Sequence, residues 1–402
     1  MYDVIIIGAR CAGSALALLL VRAGMKVLVV ERKQFPSDTM SGHYIHPAGV
    51  SFLRRHNLFE RLVSTKTPPL HTVNVDFGPI VLSGTPAPAA DGTTDGYAPR
   101  RYIFDTMLAG AACDAGVEIW QETNFVTPIV ENDRVVGIRG TTRVGREVEA
   151  RATIVVGADG KRSKLAATVG STLYNAIPST GCTYYTYWSG FDAPHTHLFV
   201  REGQFYVVAP TNDGLTFIGI VRPRSEFGRV RSDVAAAYRS AAAKVDWIAD
   251  RLATAKQAER FVGTSDLGGF FRQPHGPGWA LVGDAGYHKD PITAQGMTDA
   301  LLHSELLAEA ILRGLRMGHS LEEELSCYHR QRDSNVAAMY AMTNEMARLA
   351  APPAEVAALV ASIKDDPHET GRYLGLISGT VDIDEYFSPK NLSGLIDQTR
   401  AA

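Results

Sequence analysis

The stretch YDVIIIGARCAGSALALLLVRAGMKVLVVE, residues 2–31, decides the fold of this chain. Residues 2–7 form a continuous apolar run of strand length, which is typical of a parallel strand covered on both faces. The apolar helix that follows should end near Gly24, which is placed as its C-cap. Residues 26–30 predict a second buried strand, so strand, helix and strand form a βαβ unit within about 30 residues. The sequence therefore predicts an α/β fold.

A glycine motif, Gly8-Ala9-Arg10-Cys11-Ala12-Gly13, lies between the first strand and the helix, and Glu31 closes the second strand. In a dinucleotide site the first glycine makes a tight turn, the last lets helix and strand pack closely, and the pyrophosphate sits on the helix N-terminus. Glu31 stands where an acid takes the ribose hydroxyls. Arg10 replaces the usual middle glycine, and its side chain either reaches the pyrophosphate or points outward. The alternative is an ordinary βα turn, in which the glycines only permit the backbone conformation and bind no ligand.

Two more strands end in a turn with an aspartate. Residues 154–163, IVVGADGKRS, deliver an Asp159-Gly160 turn, which alone is more often only a turn. Residues 279–285, WALVGDA, end in Gly283-Asp284 and precede a long helix that begins near Gly296. A carboxylate at the end of a strand can bind ligand hydroxyls, and a helix N-terminus can hold partial negative charge.

Periodicity and turn residues outline the rest of the chain. They predict a surface helix over 46–63, a loop over 84–98, helices over 103–115, 231–256 and 296–349, a hairpin within 134–150, and buried strands over 152–156 and 279–282. Residues 180–221 predict an antiparallel sheet distinct from the parallel unit. Its aromatic side chains either line a hydrophobic substrate cavity or form sheet core; they are Tyr184, Tyr185, Tyr187, Trp188, Phe191, Phe199, Phe205 and Tyr206.

Composition narrows the function classes. The 402 residues are 45% apolar and 21% charged with a formal net charge of −3, so nothing favours nucleic acid as a partner. The four cysteines lack zinc or disulfide spacing, which predicts reduced thiols in a cytoplasmic protein without a metal site. Residues 11–21 lack a basic flank and are too short for a bilayer, so we expect a buried helix and no integral membrane segment. The oligomeric state stays open.

Taken together, the three motifs resemble the FAD-dependent monooxygenase superfamily of the para-hydroxybenzoate hydroxylase type, in a branch near geranylgeranyl reductase-like oxidoreductases. The resemblance covers most of residues 1–350 in order. It implies FAD contacts for the glycine loop, for Glu31 and the following arginine, for the helix opening at Arg101, for the backbone near Val126, for both Asp-Gly turns, and for Pro291 and the amides after Gly296. The residues concerned are Gly8, Arg10, Cys11, Ala12, Gly13, Glu31, Arg32, Arg101, Val126, Asp159, Gly160, Gly283, Asp284, Pro291, Gly296, Met297 and Thr298.

Departures from the family pattern limit the resemblance. Arg10 replaces a glycine, Ala166 stands where aromatic hydroxylases often have an arginine, and Thr293 stands where a glycine is usual. The WxWxIP signature of tryptophan-type halogenases is absent, and Trp188 lies in YWSGF, which disfavours that class. The only further short glycine pattern falls in the predicted hairpin, so we expect no separate NAD(P)H domain.

These observations predict an α/β protein with a Rossmann-like FAD-binding domain, a mostly antiparallel β-sheet substrate domain and a helical C-terminal part. We expect the FAD-binding domain over 1–70, 99–172 and 269–345, the substrate domain over 71–98 and 173–268, and the helical region over 346–402. The resemblance implies a monooxygenase that uses FAD, transient NAD(P)H and O₂ on an apolar, aromatic or polycyclic small molecule. The alternatives are a reductase or dehydrogenase of the geranylgeranyl reductase type and a non-catalytic flavin-binding protein.

Loop residues near the expected flavin are the candidates for catalysis. His43 lies in SGHYIHP together with His46, and either can orient the cofactor or shuttle protons, or else only cap a helix or pack. Tyr287, His288 and Asp290 lie between Asp284 and Pro291, where contact with substrate is one reading and structure the other. We take His43, Tyr287 and His288 as the catalytic candidates, and we expect Arg272 to be structural.

Overall fold

The computed structural model describes residues 1–392. Its strands are β1 Tyr2–Ile7, β2 Val27–Val30, β3 Pro69–Leu70, β4 Val73–Asp76, β5 Val81–Gly84, β6 Gly96–Tyr97, β7 Glu118–Trp120, β8 Thr123–Glu131, β9 Arg134–Thr142, β10 Glu147–Gly157, β11 Leu173–Ile177, β12 Gly181–Ser189, β13 Thr196–Arg201, β14 Gln204–Pro210, β15 Leu215–Pro223, β16 Lys256–Gln257, β17 Val262–Thr264, β18 Gly269–Arg272, β19 His275–Gly276, β20 Trp279–Leu281 and β21 Tyr287–His288.

The helices are α1 Cys11–Arg22, α2 Pro47–Arg55, α3 Phe59–Ser64, α4 Arg101–Asp114, α5 Lys164–Thr168, α6 Phe227–Ser232, α7 Val234–Ala242, α8 Asp246–Leu252, α9 Gly296–Arg316, α10 Leu321–Met346, α11 Ala354–Ile363, α12 Pro367–Ser378 and α13 Ile383–Tyr386. Short 3₁₀ turns lie at Asn212–Gly214, Arg224–Glu226, Gly283–Ala285 and Pro291–Thr293. The predicted α/β fold, with a parallel unit, a separate antiparallel sheet and a helical C-terminal part, is confirmed for residues 1–392, and the end of the predicted helical region, 393–402, lies outside the described residues.

A parallel sheet forms the centre of the molecule, with its strands in the order β20, β10, β1, β2, β7. Ile5 pairs with Val155 on one side and with Leu28 on the other. The apolar runs of the sequence are buried here because helices α1, α4 and α9 pack on one face. The hairpin β8–β9 and helix α5 pack on the other face.

A second sheet, here called the cavity sheet, has the strand order β16, β12, β15, β14, β13, β4, β5. All its pairs are antiparallel except β13 with β4. Alternate residues of its strands point to opposite faces. Trp188, Phe199 and Tyr206 therefore form a core with Tyr238 and Ile248 of helices α7 and α8. The other face remains available to line a site.

Two sequence-based predictions about helices need correction. Residues 46–63 form two helices, because Asn57 adopts a left-handed conformation with φ of 52° between them. The first of these, α2, is mostly buried and does not lie on the surface. It packs against α9 so closely that a Cβ on Gly49 would lie 3.0 Å from the Thr298 hydroxyl. Residues 231–256 likewise contain the separate helices α7 and α8, and the strand over 279–282 ends at Leu281.

Candidate functional site

The carboxyl ends of four parallel strands meet at one edge of the central sheet. Gly8 follows β1, Glu31 follows β2, Asp159 follows β10 and Asp284 follows β20. In open α/β sheets, ligands bind outside these ends, where the strand order reverses direction. A cavity of about 1000 Å³ lies there and extends to the cavity sheet. All of the cofactor residues predicted from the sequence line this cavity, except Gly13 and Thr298.

The backbone of the glycine loop leaves no room for a side chain at either end, Gly8 or Gly13. Gly8 has a φ of +102°, and a Cβ there would lie 2.5 Å from the backbone oxygen of Ala158. A Cβ on Gly13 would lie 1.8 Å from the backbone oxygen of Gly8, so helix α1 can pack on the strand only without that side chain. The helix begins without a side-chain cap. Its first backbone N–H groups are therefore free to bind an anion.

Glu31 is almost fully buried at the end of β2, and it lines the cavity. Its Oε2 accepts a hydrogen bond of 2.9 Å from the Ala9 backbone N–H, and its Oε1 accepts one of 2.9 Å from the Lys33 backbone N–H. The carboxylate thus joins the glycine loop to the turn after β2. Each oxygen keeps a further lone pair, so the group can still accept hydrogen bonds from ligand hydroxyls.

Arg10 lies on the cavity wall, and its side chain is fixed there by hydrogen bonds to three other residues. Its guanidinium donates to Asp105 at 2.6 Å, to the side chain and backbone of Ser37 at 3.2 and 3.3 Å, and to the Asp38 backbone at 3.2 Å. Arg101 donates two hydrogen bonds to the same Asp105 carboxylate, at 3.1 and 3.0 Å. Asp105 is fully buried, so two cations share one anion beside the glycine loop. The surplus positive charge suits a phosphate ligand.

The two aspartates that end strands differ in their contacts. Oδ2 of Asp159 accepts backbone hydrogen bonds from Lys164 at 2.7 Å and Leu165 at 3.3 Å, which cap the turn before α5. Its Oδ1 is buried and has no hydrogen-bond partner in the described part of the chain. Asp284 lies in the 3₁₀ turn 283–285, directly after Gly283, whose φ is +59°. Both side chains therefore keep carboxylate oxygens for a ligand in the cavity.

The start of helix α9 forms another wall. A Cβ added to Gly296 would meet no atom within 4 Å, so this position opens onto free space in the cavity. The Thr298 hydroxyl accepts a 3.0 Å hydrogen bond from the His46 backbone N–H, which explains why its side chain does not line the cavity. The His46 Nε2 lies 3.0 Å from the Thr293 backbone oxygen. Burial lowers the pKa of His46 to about 4. The neutral ring therefore donates through Nε2, and Nδ1 is an acceptor.

The three catalytic candidates lie on the cavity wall. His43 is fully buried and its Nε2 bonds to the Tyr187 hydroxyl, while burial lowers its pKa well below the usual range. Burial raises the pKa of Tyr287 well above the usual range, and no group among the described residues forms a hydrogen bond with its hydroxyl. His288 is fixed by a 3.0 Å contact of Nδ1 with the Gly268 backbone oxygen, and burial lowers its pKa. All three are therefore uncharged at neutral pH.

The antiparallel sheet supplies an apolar half of the cavity. Both interpretations of its aromatic cluster hold, for different members: Tyr185 and Phe205 line the cavity together with Phe217, whereas the alternating residues form the core beneath α7 and α8. Helix α12 closes this half with Leu374 and Ile377. No periodicity in the tail indicated that contribution, because it depends on a long-range contact.

Three polar groups of the site were missed in the sequence. The Asp105 carboxylate was detectable, because it lies one helical turn after Arg101. The buried ion pair between Lys289 and Asp299, which lines the cavity, joins a loop to the first turn of α9 and left no sequence signal.

Arg272, expected to be structural, donates to the backbone oxygens of Lys161 at 3.2 Å and Ala285 at 2.9 Å.

The cavity wall contains buried polar atoms that need a ligand. The buried atoms that have no hydrogen-bond partner among residues 1–392 include His43 Nδ1, His46 Nδ1, Asp159 Oδ1, Thr196 Oγ1 and Tyr287 Oη, and all five residues line the cavity. Unsatisfied buried polar atoms are costly, so their concentration on one wall indicates a polar ligand. Together with the open position at Gly296, the free amides of α1 and the carboxylate of Glu31, these residues fit FAD.

No helix within residues 1–392 is long and apolar enough to cross a membrane. In the same part of the chain, His, Cys, Asp and Glu side chains form no group suited to a metal ion. All four cysteines are free thiols.

Comparison with known proteins agrees with this geometry. The chain is 26% identical over 344 residues to digeranylgeranylglycerophospholipid reductase of Methanosarcina acetivorans, which covers 83% of this chain and 80% of that protein. Among solved structures, the flavin-dependent brominase Bmp2 superposes with a TM-score of 0.82 at 20% identity, over 100% of this chain and 99% of that one. A flavoprotein/dehydrogenase from Cytophaga hutchinsonii superposes with a TM-score of 0.83 at 18% identity, over 100% and 99%.

These structural likenesses confirm the predicted flavoenzyme fold, and the reductase relatives agree with the branch indicated by the motifs. The family model described as "FAD binding domain" matches residues 1–343, which span the glycine loop, both strand-end aspartates and the start of α9. The chain therefore belongs to the FAD-binding domain family of flavin-dependent oxidoreductases.

Proposed function

We propose that the protein is an FAD-dependent enzyme that acts on an apolar small molecule held between the start of α9 and the cavity sheet. The observation that carries this proposal is the division of one cavity into two chemically different halves. One half has the glycine loop, Glu31 and Asp159, and the other has Tyr185 and Phe217. The first half suits a dinucleotide and the second an apolar ring or chain.

The residues that would hold FAD have distinct roles. The free amides of α1 and the shared charge of Arg10 and Arg101 would bind the pyrophosphate, while Glu31 would accept from the adenosine ribose. Asp284 would bind the ribityl chain. The amides after Gly296 would face the flavin ring, because a helix N-terminus favours the negative charge of a reduced ring. We also propose contacts for Arg32 and the backbone of Val126 near the adenosine, and for Pro291 at the ring.

The cofactor, when bound, supplies the redox chemistry, and the chain provides position, charge and exclusion of water. NAD(P)H would be a transient reductant that leaves before the second substrate reacts. The neutral His43 and Tyr287 would orient ligands through hydrogen bonds, and His288 would shape the loop that carries Pro291. The four free thiols support placement in a reducing compartment such as the cytoplasm.

Oxygenation is the first candidate reaction, with NAD(P)H and O₂ as co-substrates. The aromatic wall formed by Tyr185, Phe205 and Phe217 supports it, because such a wall suits an aromatic or polycyclic substrate. The motif order along the chain, which resembles that of flavoprotein monooxygenases, supports it as well.

Reduction of carbon–carbon double bonds is the second candidate. The sequence relatives favour it, because the reductase of Methanosarcina acetivorans aligns over most of both chains. The aliphatic part of the wall, which includes Leu198, Val207 and Leu374, suits an isoprenoid chain.

One experiment separates these candidates. The FAD-loaded protein is given NADPH or NADH under ¹⁸O₂ with a panel of aromatic, polycyclic and isoprenoid compounds, and products are analysed by mass spectrometry. Oxygenation predicts a product that carries one ¹⁸O atom and that does not form when the same reaction is run without oxygen. Reduction predicts a product heavier by two hydrogens that also forms without oxygen. No ligand-stimulated NAD(P)H consumption with any compound would support a flavin-binding protein without turnover and contradict both candidates.

A further inference from the structure

Asp290 is a buried carboxyl on the cavity wall, and it lies between Lys289 and Pro291 in the chain. Its Oδ1 accepts a 3.0 Å hydrogen bond from the Ile292 backbone N–H, which caps the short 3₁₀ turn 291–293. Within residues 1–392, its Oδ2 has no hydrogen-bond partner. The carboxyl is thus fixed in place by one oxygen, and the other is left for a ligand.

This carboxyl lacks a counter-ion. The neighbouring Lys289 forms an ion pair with Asp299, so its ammonium does not neutralise Asp290. No Lys, Arg or His within residues 1–392 lies at ion-pair distance from Asp290, and Lys161 acts on it only from farther away. His288, the titratable neighbour on β21, is neutral at pH 7 because burial lowers its pKa. A buried carboxylate without a counter-ion is costly, so burial stabilises the protonated form more than water does.

The other candidates on the wall do not change charge near neutral pH. Burial lowers the pKa of His46 to about 4 and places the pKa of His43 well below its usual range, while it raises that of Tyr287. Burial raises the pKa of Asp290 to about 7, against a smaller opposing effect of the Ile292 hydrogen bond. A group that exchanges protons at physiological pH needs a pKa near that pH.

We propose that Asp290 is the residue that exchanges protons with the ligands of this cavity. The inference rests on the proposed function for its chemical context. NAD(P)H loses a hydride, which carries two electrons, and leaves as NAD(P)⁺, while the Asp290 carboxylate takes one proton from a hydronium ion of the solvent and becomes a carboxylic acid. In the reduction of a carbon–carbon double bond, that hydride equivalent forms one new C–H bond, the O–H bond of Asp290 breaks so that its proton forms the other C–H bond, and the carboxylate is restored.

Infrared spectroscopy tests the protonation directly and requires no turnover. Difference spectra of the FAD-loaded protein between pH 6 and pH 8 should show the carbonyl stretch of a carboxylic acid that disappears as pH rises. Asp290→Asn should lose this band while it keeps the cap to Ile292, because asparagine is also a good cap residue. Asp290→Ser, a second capping variant, should lose it as well, so the result does not depend on one variant folding.

Asp91→Asn is the matched control. Asp91 lies outside the cavity; desolvation acts to raise its pKa, but hydrogen bonds from Thr93 and Ser51 together outweigh it and lower the pKa below the usual value. The wild-type band should persist in this variant. A band absent from the wild type, or a band that survives in both Asp290 variants, would overturn the proposal. A titrating band in a protein without turnover would instead contradict the proposed function and leave the protonation of Asp290 established.

Proton uptake connects this carboxyl to the redox step. FAD-loaded protein is photoreduced anaerobically at pH 7.5 in weak buffer with an indicator dye, and protons taken up per two electrons are counted. The wild type should take up a larger number than Asp290→Asn, because the charge of the reduced flavin raises the pKa of the carboxyl. Equal uptake in the two proteins at matched FAD content would contradict a role for Asp290 in the reaction.

Discussion

Removal of the Glu31 carboxylate should separate cofactor binding from folding. In Glu31→Ala, FAD loses at least one charge-assisted hydrogen bond from the ribose, worth about 1.5–3 kcal/mol. Since about 1.4 kcal/mol corresponds to a factor of ten, the dissociation constant of FAD should rise roughly 10- to 150-fold. In the wild type, the buried Ala9 N–H donates a 2.9 Å hydrogen bond to Oε2 of Glu31, and the substitution leaves this N–H without an acceptor. That loss should cost about 1–3 kcal/mol of stability, which is small against the usual 5–15 kcal/mol.

The assay is titration of apoprotein with FAD, followed by quenching of flavin fluorescence, together with urea unfolding of the apoprotein. Glu305→Ala is the matched control, because Glu305 lies on α9 outside the cavity and pairs with Arg55 and His56. The control should keep the wild-type affinity. An FAD dissociation constant in Glu31→Ala within a factor of two of the wild type would refute the assignment of Glu31 to the site.

Three further changes have defined outcomes. Gly296→Val should fill the open space at the start of α9 and lower the flavin reduction potential. If potentiometry at full flavin content finds an unchanged potential in this variant, the helix does not face the ring. Asp284→Ala should instead weaken FAD retention. Gly8→Ala should lose FAD and stability, because its Cβ would lie 2.5 Å from a backbone oxygen; spectroscopy and thermal unfolding identical to the wild type would contradict this. Burial lowers the pKa of His303 to about 4, so the wild type should lose stability as the pH falls from 6.5 to 4. This group should lower the free energy of unfolding by up to about 1.4 kcal/mol per pH unit. His303→Leu should flatten that slope when unfolding by urea is measured across this pH range.

The sequence predicted the parts of the site that depend on local geometry. Gly8 and Gly13 follow from the tight turn that a strand and helix need, and the strand-end aspartates follow from their neighbours along the chain. The ion pair of Lys289 with Asp299 and the counter-ion shortage of Asp290 depend on how a loop meets a helix, so periodicity does not encode them. The pairing of Arg10 with Asp105 was missed for the same reason, because the two residues lie 95 positions apart along the chain.

The longer helices also show the limit of periodicity. The pattern over 46–63 is continuous, but Asn57 turns the chain, and packing against α9 buries the first half. The closing wall from α12 came from a segment whose mixed helices and Pro-rich turns gave no functional signal. Tertiary contacts therefore decide which amphipathic segments shape the cavity.

Release of the bound flavin tests the central claim most directly. The purified chain should be yellow, and precipitation with acid should leave intact FAD in the supernatant at close to one equivalent, because no His or Cys stands in a pattern typical of covalent attachment. Anaerobic dithionite should then bleach an untreated sample. Flavin that stays with the pellet would contradict non-covalent binding, and a folded protein that neither contains FAD nor binds it on titration would contradict the whole account.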